Sequence, residues 1–241
     1  MSALYHHLLV EPIYNTLVAL FAVLPFADAG LAIIIVTLLT RLVLFPLSKK
    51  AVTAQVEMQR IAPELERIKE KHKDDKEEQA RRTLALYRER GVNPFSGILV
   101  LLIQLPVIFA LYHIFLSTGF PKVDSSLLYS FVKAPSEVST IFFGIDLTHK
   151  SAVLAVLAAI ATFFQIKFAM PPKPKPSSDS KPSFGDDLAK NMQAQMKYVF
   201  PFLVFFIAYK ISGVVPLYWL TTNIFTIGQE IVVRRKLEVK A

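Results

Sequence analysis

Long apolar blocks, not short alternations of apolar and polar residues, set the pattern of this chain. Five stand out, at about 30–48, 95–116, 151–170, 198–212 and 214–233. Blocks of this length with few charges predict membrane-crossing helices. With their boundaries drawn at the flanking charges, the spans run over 29–48, 94–117, 151–170, 197–212 and 214–233. The stretch 5–27 differs. Its run "IYNTLVALFAVLPF" is short, is broken by Pro25 and has no basic segment before it, which argues against a signal peptide. Residues 1–28 therefore read as an interfacial amphipathic helix on the outer side, with an uncleaved sixth span as the alternative.

Between the first two spans the period changes. Over 49–93, Met58, Ile61, Leu65 and Ile68 recur at spacings of three and four with charges between them, the pattern of an amphipathic helix. "KHKDDK" at 71–76 reads as a turn, Glu77 to Arg90 as a second helix, and Gly91 as its stop. Pro63 is expected to kink or restart the first helix. The segment predicts a charged helical hairpin, serving either as a coiled-coil pairing site or as a docking site. The segment 118–150 reads as an outer loop, and 171–196, rich in proline and serine, as a connecting loop.

Charge gives the orientation. Residues 1–28 hold no lysine or arginine, 49–93 hold twelve, 118–150 three, 171–197 five, and the tail after 233 four. Basic loops alternate with poor ones, so the N-terminus is expected outside and the tail 234–241 in the cytoplasm. The net charge of +8 is then accounted for by cytoplasmic loops and needs no nucleic-acid partner. The absence of cysteine excludes disulfides, thiol nucleophiles and Cys-ligated zinc. There is no phosphate-binding G-x-x-x-x-G-K-[ST] loop and no H-E-x-x-H, so neither a cofactor nor an enzymatic reaction is expected.

Arg41 breaks the first apolar block. Eight residues separate it from Lys49, roughly 12 Å of straight helix, which puts the charge near the middle of a hydrocarbon core about 30 Å thick. No Asp or Glu lies at that depth: Asp28, Asp146 and Glu230 each sit near a span end. A water-filled cavity is therefore favoured over a buried ion pair. Trp219, Thr222, Asn223, Thr226 and Glu230 form one polar stripe on the last span, with Gln229 on its margin. Thr162 and Gln165 on the third span and Gln104 on the second add polar lining. The fourth span is short: only twelve residues lie between Lys197 and Lys210, about 18 Å of helix.

Three stretches carry a resemblance. "GLAIIIVTLLTRLVLFPLSKKAV", "LALYRERGVNPFSGILVLLIQLPVIFALYHI" and "PLYWLTTNIFTIGQE" closely resemble the YidC family of membrane-protein insertases, with its mitochondrial and chloroplast relatives, over about Glu11 to Arg235. The resemblance implies an all-α polytopic membrane protein with five transmembrane helices and a cytoplasmic helical hairpin. It also implies a groove open to cytosol and lipid, carrying the positive charge of Arg41, with Ser48, Gln165 and Trp219 at lining positions. The substrate-binding set expected on both grounds is Arg41, Ser48, Gln104, Gln165, Trp219, Thr222 and Asn223. Implied partners are nascent membrane proteins with short or acidic outer segments, membrane lipids, the Sec translocon, and ribosome or signal-recognition components at the hairpin. The implied location is the bacterial plasma (inner) membrane. The sequence lacks the large extracytoplasmic domain, lipobox cysteine and long basic tail of some relatives. An anion channel or transporter using Arg41 as a selectivity charge is the rival reading, and a passive assembly scaffold a third.

Overall fold

The computed structural model describes residues 3–24, 28–93, 106–111, 113–115, 122–135, 137–169 and 194–238. The chain opens with a helical turn, Ala3–Tyr5, a π-helical turn, His6–Val10, and helix α1, Glu11–Val23. α2 is Ala29–Val43, α3 Phe45–Lys71 and α4 Lys76–Glu89. Further helical residues lie at 106–111 and 113–115. Two short strands, β1 (Ile141–Phe142) and β2 (Ile145–Asp146), pair antiparallel. α5 is Ala152–Ala169, α6 Phe200–Lys210 after a π-helical turn at Gln195–Val199, and α7 Val214–Glu238.

Prolines explain where the helices deviate. The Leu44 N–H still donates to the Thr40 carbonyl at 3.0 Å, but Pro46 cannot donate to the Leu42 carbonyl, and the helix breaks there. α2 and α3 meet at Leu44 with a bend of 66°. The first span, expected as one helix over 29–48, therefore divides in two, and Ser48 belongs to α3. Pro12 and Pro201 each stand two residues after a π-helical turn, where the missing N–H removes a bond that would hold normal pitch. Pro63, by contrast, lies inside an unbroken α3. Apolar contacts of Met58 and Ile61 before it, and Leu65 and Ile68 after it, keep the helix continuous across the lost bond. The helix therefore does not restart at Pro63.

One main core joins the N-terminal helix to the rest. Val10 of the π-helical turn and Ile13, Tyr14, Leu17, Val18 and Phe21 on one face of α1 are buried with Ile33 and Val36 of α2, Ile114, Leu147 and Val214. Asn15 fixes the helix to the distant segment ahead of the β-hairpin: its amide donates to the Leu127 carbonyl at 2.9 Å, and its oxygen accepts the Tyr129 N–H at 2.7 Å. α7 packs against α5, α2 and α3, and α5 against α6. α3 and α4 close a small second cluster through Ile61, Leu86 and Val92. Asp75 caps α4 by accepting the Glu78 N–H, and Gly91 leaves it with φ +61°, a conformation suited to glycine.

Among the described residues, two helices are long and apolar enough to cross a membrane, His6–Val23 and Ala152–Ala169. The bent pair Ala29–Val43 and Phe45–Lys71 passes the same test together. Helix 6–23 thus has the dimensions of a span, although the sequence reading favoured an interfacial helix there. The segment expected as a fourth span over 197–212 stays helical from 194 but ends at Lys210, because Ile211 is extended. Most of the expected span 94–117, including Gln104, and most of the loop 171–196 lie outside the described residues.

Candidate functional site

The candidate site forms where α2 ends, α3 begins and α7 passes both. Arg41 stands in the last turn of α2, where the C-terminal carbonyl dipoles favour a cation. It is 9% exposed. The Tyr218 phenol of α7 lies within electrostatic range of its guanidinium. Below it, the Ser48 hydroxyl of α3 accepts the Gln229 amide of α7 at 2.6 Å. This bond joins residues 181 apart in sequence and fixes the start of α3 against the last helix.

The α7 stripe divides its work. Asn223 donates to Thr162 Oγ1 of α5 at 2.7 Å, while that hydroxyl donates to the Ala158 carbonyl at 2.8 Å. Thr226 bonds back to the Thr222 carbonyl. Thr222 is buried, and its own hydroxyl has no hydrogen-bond partner among the described residues. A buried hydroxyl in that state carries a desolvation cost of about 1–3 kcal/mol. Glu230 is 2% exposed and takes two bonds from Arg234, at 2.8 and 3.1 Å. Trp219 is half-buried against the main core, and Gln165 is half-buried on α5, one turn from Thr162.

A second network lies one level further along α3. Arg234 Nη1 donates to Gln59 Oε1 at 3.0 Å, and Gln59 Nε2 donates to the Ala169 carbonyl at 3.0 Å. Gln55 donates to the same carbonyl. Ala169 is the last residue of α5, so the two glutamines satisfy a carbonyl that the helix itself leaves open. Sequence reasoning missed Gln55, Gln59, Arg234 and Tyr218. Two spacings could have pointed to three of them: Gln55 and Gln59 lie four apart on one helix face, and Glu230 and Arg234 form an i, i+4 pair.

Further out, the α3–α4 pair carries its own charge pairing. Arg90 reaches Glu64 at 2.6 Å across the two helices. The Arg82 guanidinium, followed by that of Arg81, holds the Glu78 carboxyl below the ordinary range. These groups are solvent-exposed, so the pairs orient side chains more than they stabilise the fold.

Apolar helices of spanning length around a buried arginine and a polar helix face define a helical membrane protein. Residues 20–240 match the 60Kd inner membrane protein family, and the chain belongs to that family. It is 34% identical over 210 residues to the membrane protein insertase YidC of Fusobacterium nucleatum subsp. nucleatum, covering 86% of each chain. It is 32% identical over 215 residues to the insertase YidC of Oceanobacillus iheyensis, covering 88% of this chain and 76% of the relative. The insertase MisCA of Bacillus subtilis is 30% identical over 209 residues, 85% of this chain and 70% of that one. In the longer YidC of Francisella tularensis subsp. novicida, 32% identical, the match covers 86% of this chain but 32% of the relative.

Proposed function

We propose that this chain inserts proteins into the bacterial plasma membrane by moving short polar segments of its clients through a hydrophilic groove beside Arg41. Five spans, with the N-terminus outside and the α3–α4 pair and the tail in the cytoplasm, complete this reading. The observation that carries it is Arg41 itself: a buried cation at a helix end, with Tyr218 of α7 within electrostatic range and Thr222 and Asn223 further along that helix. Ser48, Gln104, Gln165 and Trp219 are the other lining residues proposed. The relatives' insertase names support the role, and the polar helix face supports the route.

The mechanism needs no nucleotide. A client's outer segment enters from the cytosol without leaving a polar environment, and Arg41 attracts its acidic residues. The client's apolar helix then passes into lipid, where burial at about 25 cal/mol per Å² drives release. Clients with short or acidic outer segments fit best. The charged α3–α4 surface is the proposed contact for ribosome or signal-recognition components, and the Sec translocon is a proposed partner for larger clients.

The test is a protease-protection insertion assay with matched clients that differ only in acidic residues of the outer segment. Arg41→Lys should keep most activity, because lysine preserves the charge. Arg41→Glu should lose about tenfold for acidic clients, equivalent to about 1.4 kcal/mol, and much less for neutral ones. Equal insertion of both client types by Arg41→Glu would remove the electrostatic role. An anion channel would instead show Arg41-dependent conductance in the absence of client.

A further inference from the structure

We propose that the β-hairpin preceding α5 is a membrane-interface anchor, whose Ile141 and Phe143 side chains sit among lipid headgroups and the first acyl carbons. The hairpin is held at a fixed level. The Ala29 N–H at the start of α2 donates to the Ser139 carbonyl at 2.9 Å, and the Gly213 N–H just before α7 donates to the His149 carbonyl at 2.8 Å. Leu147 is fully buried between these ties. Three helices, α2, α5 and α7, start at this end of the molecule, so the hairpin lies where the apolar belt of the bundle ends.

Its side chains alternate as a strand requires. Phe142 turns inward over Gly30. Ile141 and Phe143 turn outward and are 59% and 91% exposed. The Phe143 ring touches Phe142 edge to face at 4.7 Å between centroids, a contact that leaves it almost fully exposed, and the turn itself disfavours a bulky side chain there. Phe143 and Gly144 occupy the two central positions between β1 and β2, with φ of +47° and +79°. Such a turn favours asparagine followed by glycine, and a bulky side chain at the first position is strained. A residue that breaks the local rule and faces outward points to a contact outside the fold.

Lipid fits that contact. The exposed side chains Leu31 near the start of α2 and Val153 near the start of α5 continue the apolar surface from this end into the bundle's flank. Phe131, also strongly exposed, belongs to the same connection. Over 118–150 the lysines Lys122, Lys133 and Lys150 are balanced by Asp124, Glu137 and Asp146. Attraction to anionic lipid is therefore not the driving term; ring insertion at the interface is.

The cysteine-free chain allows a direct measurement on the whole protein in phosphatidylcholine vesicles. A single Ile141→Cys variant carrying an environment-sensitive fluorophore should emit to the blue of the same label at Gln79 and be quenched by lipids spin-labelled near the headgroup. Added salt should leave the quenching unchanged. Phe143→Asn, which gives the turn its preferred residue, should keep or raise the melting temperature yet reduce the quenching by about half. A water-like emission at 141 would overturn the anchor, and so would quenching that Phe143→Asn leaves unaltered.

Discussion

Arg41 lies two residues before the end of its helix, and the bend at Leu44 changes how deep that is. On a straight helix its distance from Lys49 would be roughly 12 Å. With five of the eight intervening residues tilted by 66°, the distance along the α2 axis falls to about 8 Å. The helix C-terminus contributes up to about 2 kcal/mol more toward keeping a cation there. Arg41 was legible in the sequence because a charge within an apolar block violates the pattern. The partner of Ser48 was not, since Gln229 is 181 residues away and only packing selects it. This bond gives a residue-scale prediction. Ser48→Ala should destabilise the protein by about 1–2 kcal/mol, because it leaves the Gln229 amide buried without its acceptor. Gln229→Leu should have a smaller effect, and the double variant should fall short of the sum by at least about 0.5 kcal/mol. Additive unfolding free energies in detergent would show that the pair does not act as a unit.

Elements were legible where length and period decide them. The apolar blocks of α2, α5 and α7, and the apolar spacing of α3, are properties of the local sequence. Two features depended on the environment instead. Proline counts as a helix breaker in both α3 positions, yet the chain bends before Pro46 and continues through Pro63, whose flanking apolar residues are packed against α4. The β-hairpin was also hidden, because strands of two residues leave no periodicity to detect. It carries two predictions. A Cβ at Gly30 would stand 2.3 Å from the Phe142 ring, so Gly30→Ala should force the hairpin outward and cost about 1–3 kcal/mol in a thermal melt. Gly228, which has open space around the corresponding position, should accept alanine with no such overpacking loss. The second concerns acid. The Thr148 backbone N–H, followed by its hydroxyl, holds the Asp146 carboxyl down to about 2 from an ordinary 3.8. A depressed carboxyl stabilises the fold above its ordinary value and loses that contribution as pH falls through the folded one. Hydrogen exchange at the Thr148 amide should therefore accelerate between pH 4 and 2, beyond the intrinsic rate, and Asp146→Asn should flatten that change.

At the scale of the molecule, the membrane class was legible because blocks of spanning length leave a water-soluble core no explanation. The orientation rests on charge alone and can be tested directly. Single cysteines at Ser126 and Ser212 should react with a membrane-impermeant maleimide added outside cells, and one at Gln79 should react only after permeabilisation. Labelling of Gln79 in intact cells would invert the proposed topology. The mechanical link between the Arg41 site and the charged helix pair was not legible, since it depends on α3 being one unbroken helix. That continuity makes α3 a lever. Its 27 residues span about 40 Å, with the bend at Leu44 as the fulcrum. A swing of about 5° would carry Lys71 by about 3.5 Å and Gln59 by about 2 Å, but Ser48 by only about half an ångström. A partner pulling on the far end would therefore open the Gln59–Arg234 contact while the Ser48–Gln229 bond beside the fulcrum stayed closed.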